Sequence, residues 1–332
     1  MTAVAACAAA AFCFAATLSA FPQDPPPQDT PSAPVPTEGS QPPPPQPGPP
    51  PAEPVPGQKS GPAAPSSNGP RIEADPGVRL LDSGFRHLYE LRFEDGRNEF
   101  LEYQRLHPDD PMGKAAEAAS YLFEQFNTKG ILTSNFFLND SKFLNGIDGN
   151  PSENRNPKFL QANQTARSIA KQRLAQFPKD PQGLLVLTMT DGMEADYDAI
   201  IEKKQLASLG LIKQAEAEAK DVLSIDPNAQ DAYVALGAGN YIVGSLPGFK
   251  RAIVWFGGVH GDRQRGMDQL QSAATNGHYL QPFAKILLAL ASERERRHDR
   301  AQLLLAELAA EFPANPLFAR ELALLQGGGG KH

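Results

Sequence analysis

Prolines at the ends of amphipathic runs set the tightest limit on how this chain folds. "LHPDDPMG" (106–113), "QFPKDPQG" (176–183), "SIDPNAQD" (224–231) and "EFPANPLF" (311–318) are built alike. In each, the first proline closes a run of helical periodicity and a new run opens just beyond it. Proline cannot continue a helix, because it lacks the N–H and its ring clashes with the preceding turn. It suits the first helical position, where that N–H would have no partner. One mark therefore stops a helix and starts the next, which predicts helix hairpins in series.

Twelve positions before Pro178, Pro227 and Pro313 stand Ala166, Ala215 and Ala301, and Gly96 stands twelve before Pro108. A small residue at a fixed distance from the mark predicts a close crossing of two helices, where only Gly or Ala lets the backbones approach. Around these residues the apolar spacing is helical: Ala301, Leu304, Leu305, Leu308 and Phe312 fall on one stripe. β-branched alternating runs bounded by turn residues do not extend beyond a few positions, so the expectation is an all-α domain.

These features resemble the tetratricopeptide repeat (TPR), a motif of about 34 residues with an aromatic and a Leu-Gly pair on its first helix. In "DAYVALGAGNY" (231–241), Tyr233, Leu236 and Gly237 match those positions. Ala166, Ala215 and Ala301 match the small position of the second helix, and the landmark prolines match the closing one. The prolines are 70, 49 and 86 residues apart, so only the first interval is close to two repeats. Pro227 lacks the second proline, and "PQGLLVLTMTDG" (181–192) has no Leu-Gly pair. The reading is about five helix pairs, some degenerate, with insertions between them. The resemblance implies an α-solenoid over residues 71–326, with a short flexible tail at 327–332, and a protein or peptide partner bound along the concave groove.

Residues 22–70 hold 20 of the chain's 32 prolines, with Gly, Ser and Gln between them. Such a stretch has almost nothing apolar to bury and is expected to be a disordered, partly polyproline spacer. Ahead of it, "AVAACAAAAFCFAATLSAF" (3–21) is uncharged and alanine-rich, with small residues suited to cleavage after Ala20. Residues 1–21 read as a secretory signal peptide, although no Lys or Arg precedes the run. The run is also near the length of a membrane span, so an uncleaved N-terminal anchor stays open as the alternative. Either way the expected location is periplasmic or extracellular. Both cysteines, Cys7 and Cys13, lie in this segment, so the mature protein would have no thiol for disulfide, metal or nucleophile. From residue 71 on there are 30 Lys and Arg against 34 Asp and Glu, and no basic block, so nucleic acid is not an expected partner.

Signatures of catalysis are absent: no His-Glu-x-x-His, no Gly-x-Ser-x-Gly, no phosphate-binding loop. The histidines share no ligand-like helical spacing. The expectation is a protein without enzymatic activity, metal or cofactor. Two insertions stand out. Residues 130–159 are rich in Asn, Gly and Phe. Asp148, Asn150 and Glu153 there raise a calcium loop without the usual spacing, against a loop whose Phe136, Phe137 and Phe143 cover the side of the solenoid. Residues 244–270 hold the only tryptophan, Trp255, and break at Gly257-Gly258 and Gly261, with Asp262 a fitting N-cap for the next helix. Trp255, Phe256, Arg263 and Arg265 read as ligand contacts at that bend, or as a core aromatic beside a turn. On the first helices of the pairs, Tyr197, Asn240 and Tyr241 are the candidate partner contacts, or ordinary packing residues. A second function class is a small-molecule or lipid-binding helical domain, with residues 130–159 covering a pocket. An enclosed apolar cavity favours that class, and an open polar channel favours a peptide.

Overall fold

The computed structural model describes residues 76–139, 146–147, 149–246 and 260–328. Among these there are twelve α-helices, two short 3-10 turns and no strand. The first pair is α1 (Pro76–Tyr89) and α2 (Phe93–Leu106). Then come α3 (Met112–Thr128), a short α4 (Ser134–Leu138) and α5 (Pro157–Gln176), with α3 and α5 as the second pair. The third pair is α6 (Pro181–Ile200) and α7 (Gln205–Ile225), the fourth α8 (Tyr233–Gly244) and α9 (Arg263–Asn276), the fifth α10 (Gln281–Arg294) and α11 (His298–Glu311). A final helix, α12 (Pro316–Gly328), packs on α11. The all-α expectation of stacked helix hairpins stands.

The four proline marks form one turn, built four times. The residue before the proline donates its N–H to the carbonyl four back: His107 to Tyr103, Phe177 to Arg173, Asp226 to Val222, Phe312 to Leu308. Two residues past the proline, an N–H returns to the first turn residue, as from Asp110 to His107 and from Asn315 to Phe312. A carboxylate or amide then caps the next helix. Asp180 accepts from the Gly183 N–H at 2.7 Å, and Asn315 accepts from Leu317 at 2.9 Å. Pro181 and Pro316 sit first in their helices, where the missing donor costs nothing.

A fifth mark carries no proline. His278 stands 35 residues before Pro313, and Gly266 stands twelve before His278. Here the buried Asp231 carboxylate reaches across from the start of the fourth pair. It accepts from the N–H groups of His278 (2.7 Å), Tyr279 (3.0 Å) and Leu280 (3.2 Å), capping the entry to α10 from a distance in sequence. The long interval between Pro227 and Pro313 thus contains a complete turn.

The small positions lie where helices press closest. Ala166 and Ala301 have no exposed surface. A methyl carbon at Gly96 would stand 2.9 Å from the Gly84 carbonyl oxygen, and one at Gly237 would stand 3.0 Å from that of Gly266. Gly237 and Gly266 face each other where α8 crosses α9.

The row of pairs closes on itself. The first helices α1, α3, α6, α8 and α10 contact one another in order. The Tyr89 hydroxyl of α1 donates to the Tyr279 carbonyl at 2.7 Å, and Phe85 stacks on Tyr279 at 4.7 Å. Asn315 donates to the Tyr89 carbonyl at 2.8 Å, and Arg86 donates to the Glu311 carbonyl at 3.1 Å. The insertion after α3 adds to this seam. Phe136 and Phe137 are buried, Arg294 donates to the Phe137 carbonyl at 2.9 Å, and the Ser134 hydroxyl donates to Glu321 of α12. Phe143 and Asp148 fall outside the described residues, and the Asn150 amide oxygen accepts from the Ser152 N–H.

Candidate functional site

Because the first helix of each pair faces inward, the concave side of the stack holds an apolar chamber that is partly open, with Phe123, Met189, Gly192 and Phe283 in its wall each half-buried. Its cavity measures about 70 Å³, the space of about five water-sized spheres at ~10–15 Å³ each. All five inner helices contribute to the wall. Phe85, Tyr89, Phe123 and Phe283 supply aromatic faces, and Met189 and Met193 supply flexible thioethers. Along α6 the lining follows helical spacing: Leu185, Thr188, Met189, Gly192, Met193 and Asp196. A side-chain carbon added at Gly192 meets nothing within 4 Å, so the helix backbone fronts empty space there. A smaller apolar hollow beside it shares Leu88, Tyr89 and Phe123 and is bounded by Leu132 from the 130–159 insertion. Among the described residues of that insertion, none lines the chamber itself.

Polar groups in the wall are few, and the charged ones are of one sign. Thr188 satisfies its hydroxyl on the Leu184 carbonyl at 3.0 Å. Asp196 is 4 % exposed and Asp231 6 %. Burial pushes the Asp231 carboxyl above its ordinary range, while the three N–H groups it accepts pull it back down. No Lys, Arg or His lines the chamber among the described residues.

On the opposite face of α6 lies a second polar cluster. Asp191 is fully buried, with an oxygen 2.8 Å from the Arg167 guanidinium of α5, which also pairs with Glu194. Loss of hydration pushes Asp191 up to about 6, against the pull of Arg167. Glu218 of α7 is pushed up to about 7, by burial first and by Asp191 second. Among the described residues no group of three or more His, Cys, Asp or Glu side chains is placed to hold a metal ion. No helix of the described residues is long and apolar enough to cross a membrane.

The candidate contacts separate into three environments. Tyr197 is 1 % exposed, packs against Phe159 with ring centres 4.9 Å apart and planes tilted by 35°, and accepts the Asn156 N–H at 2.8 Å through its hydroxyl. Asn240 is half-buried and donates to the Leu236 carbonyl (3.0 Å) and to Gln269 (2.9 Å), tying α8 to α9. Tyr241 and Arg263 meet through Glu295: the phenol donates to it at 3.4 Å and the guanidinium at 3.2 Å. Arg263 borders a polar surface hollow with Asp262, Gln264 and Arg297, and Asp262 caps α9 by accepting from Arg265. Trp255 and Phe256 lie outside the described residues. None of the other five borders the chamber. Its lining was visible in sequence only as the apolar face of α6, and Gly192 as a glycine inside a helical run.

The serial hairpins, the repeated closing turn and the small residue facing Leu236-Gly237 decide the architecture. The fold is tetratricopeptide-like. No family model matches the chain, and comparison with curated proteins finds no match. Among solved structures the chain is similar to a thermophilic TPR protein of Thermus thermophilus, at 15% identity and a TM-score of 0.42. That likeness covers 75% of this chain and 98% of the other.

Proposed function

We propose that this chain is a non-catalytic binding protein whose ring of inner helices takes up a small apolar group. Stacked helix hairpins in general serve interaction through their concave side, and what that side accepts depends on its lining. The carrying observation is the chamber: apolar, partly closed and fronted by Gly192. A peptide groove needs an open channel with hydrogen-bonding side chains along it, and a small-molecule site needs an apolar hollow with a few placed polar groups. The raised carboxyls Asp191 and Glu218 are not among the residues that line the chamber, so they take no part in this reading.

Methionine methyl NMR tests it directly, because the chain has five methionines and two of them line the chamber. Titration with the neutral 3,3-dimethylbutan-1-ol is expected to shift Met189 and Met193 and to leave the core residues Met112 and Met267 in place. Gly192→Leu is expected to abolish those shifts without lowering the thermal midpoint. Unmoved Met189 and Met193 resonances at saturating alcohol refute the reading.

A second reading, a protein partner on the outer surface, draws on the hollow around Arg263, Gln264 and Arg297, where Arg263 is 54 % exposed. Arg263→Glu is then expected to abolish capture of that partner while chamber binding persists. The reading also includes export, with residues 1–21 as leader or anchor and 22–70 as spacer. Residues 1–70 fused to a reporter active only outside the cytoplasm provide the check.

A further inference from the structure

The charges behind α6 do not balance. Arg167 and the exposed Lys171 of α5 face three carboxylates: Asp191 and Glu194 of α6, and Glu218 of α7. The Arg167 guanidinium is divided, 2.8 Å from Asp191 Oδ1 and also paired with Glu194. Glu218 accepts from the Gln214 amide at 3.1 Å. Three acceptors stay buried without a hydrogen bond: Asp191 Oδ2, Glu218 Oε2 and Asn163 Oδ1. Asp191 has no exposed surface, and Asn163 is 2 % exposed. A buried acceptor with no donor is costly, and charge of one sign held away from water is more so. What the cluster lacks is one donor carrying one positive charge. A proton on a carboxyl supplies both.

We infer that Asp191 and Glu218 together hold one proton where α6 meets α7, and that this proton controls how well the chamber takes its ligand. The inference rests on the reading of the chamber as a ligand site. The link runs through α6. Thr188, Met189, Gly192 and Met193 line the chamber from one side of that helix, and Asp191 stands on the other, next to Gly192 in sequence. With the proton bound, α6 and α7 meet across a single negative charge. Without it, two carboxylates repel each other in surroundings that screen them poorly. α6 then shifts against α7, and the lining it presents to the chamber shifts with it. Burial raises both carboxyls, Asp191 to about 6 and Glu218 to about 7, and the charges acting on them are those of Arg167, Lys171, Glu194 and each other. The proton belongs to the pair and not to either residue. Because the folded values are raised, the proton is bound in mild acid and is lost as pH rises through them. Ligand is therefore held more tightly in mild acid. By linkage the coupling is reciprocal, so ligand binding draws a proton from solvent onto the pair.

3,3-Dimethylbutan-1-ol does not titrate between pH 5.5 and pH 8, so the pH dependence of its binding to the full chain belongs to the protein. Read by the Met189 and Met193 methyl shifts, its Kd is expected to be about fivefold lower at pH 5.5 than at pH 8. Glu218→Gln keeps the shape of the side chain and supplies a permanent donor. It is expected to hold the tighter Kd at both pH values. Equal Kd values in the wild type overturn the inference and leave the chamber reading standing. A ratio that persists in Glu218→Gln overturns it as well, since that ratio would belong to groups the variant keeps, such as Asp196 and Asp231 in the wall or His278 at the seam. If the alcohol binds at neither pH, the chamber reading falls and the inference falls with it. If Glu218→Gln loses its fold, as judged by far-ultraviolet circular dichroism, Asp191→Asn is read in its place. A persistent ratio there overturns the inference, and a Kd independent of pH supports it.

Discussion

The glycine at the fourth helix crossing allows a prediction whose sign opposes the usual rule. In a helix interior, Gly→Ala normally stabilises by ~0.5–1 kcal/mol, because alanine loses less backbone freedom on folding. At Gly266 of α9 the added carbon would press into the Tyr241 backbone nitrogen of α8 and stand 2.8 Å from the Gly237 carbonyl oxygen, where ordinary contacts begin at 3.4 Å. The struck atoms are backbone, so no side chain can turn aside, and the two helices must separate. Overpacking of this kind costs ~1–3 kcal/mol, and a backbone clash belongs at the upper end. Set against a helix gain of ~1 kcal/mol, Gly266→Ala is expected to lose ~2 kcal/mol net. Gly210 of α7 supplies the opposite case, since a carbon there meets nothing within 4 Å. Gly210→Ala is expected to gain ~0.5–1 kcal/mol. Urea titration of the full chain, followed by circular dichroism at 222 nm, reads both. The thermal midpoint of Gly266→Ala is expected to fall by ~4–8 °C, at ~2–4 °C per kcal/mol for a domain of this size. A gain at Gly266, or equal changes at the two sites, would refute the claim that backbone contact at this crossing holds α8 on α9.

Ala301→Leu, at a position with no exposed surface, is expected to destabilise by ~1–3 kcal/mol in the same titration; no change there would remove the crossing assigned to α11. Glu218 binds its proton more tightly folded than unfolded, with its folded value raised to about 7 from 4.5. Its contribution to stability is therefore full below the unfolded value and is lost as pH rises through the folded one. Glu218→Gln is expected to gain on the wild type in urea midpoint between pH 5 and pH 8, and a constant difference across that range would contradict the raised carboxyl. Limited proteolysis is expected to trim the chain to a stable fragment starting near residues 71–80, whereas protection of 22–70 equal to that of the helices would show that the spacer packs on them.

Helix ends, their pairing and the all-α class were legible in the sequence because their causes are local. A proline stops a helix by its own ring, Asp180 caps the turn three residues away, and a small residue recurs twelve positions before each mark. The turn at His278 escaped the sequence reading because its cap, Asp231, comes from 47 residues away. Tyr197 looks the same in sequence whether it faces a partner or Phe159, since an aromatic on a first helix suits either side. What only the tertiary structure decided is that the solenoid closes. Its curvature is the sum of many interhelical angles, each set by the size of the side chains at a crossing. Whether the first pair then reaches the last depends on contacts such as Tyr89 with Tyr279 and Asn315 with Tyr89, far apart in the chain. That closure narrowed the concave side from a long groove to a partly closed apolar chamber with ring faces in its wall.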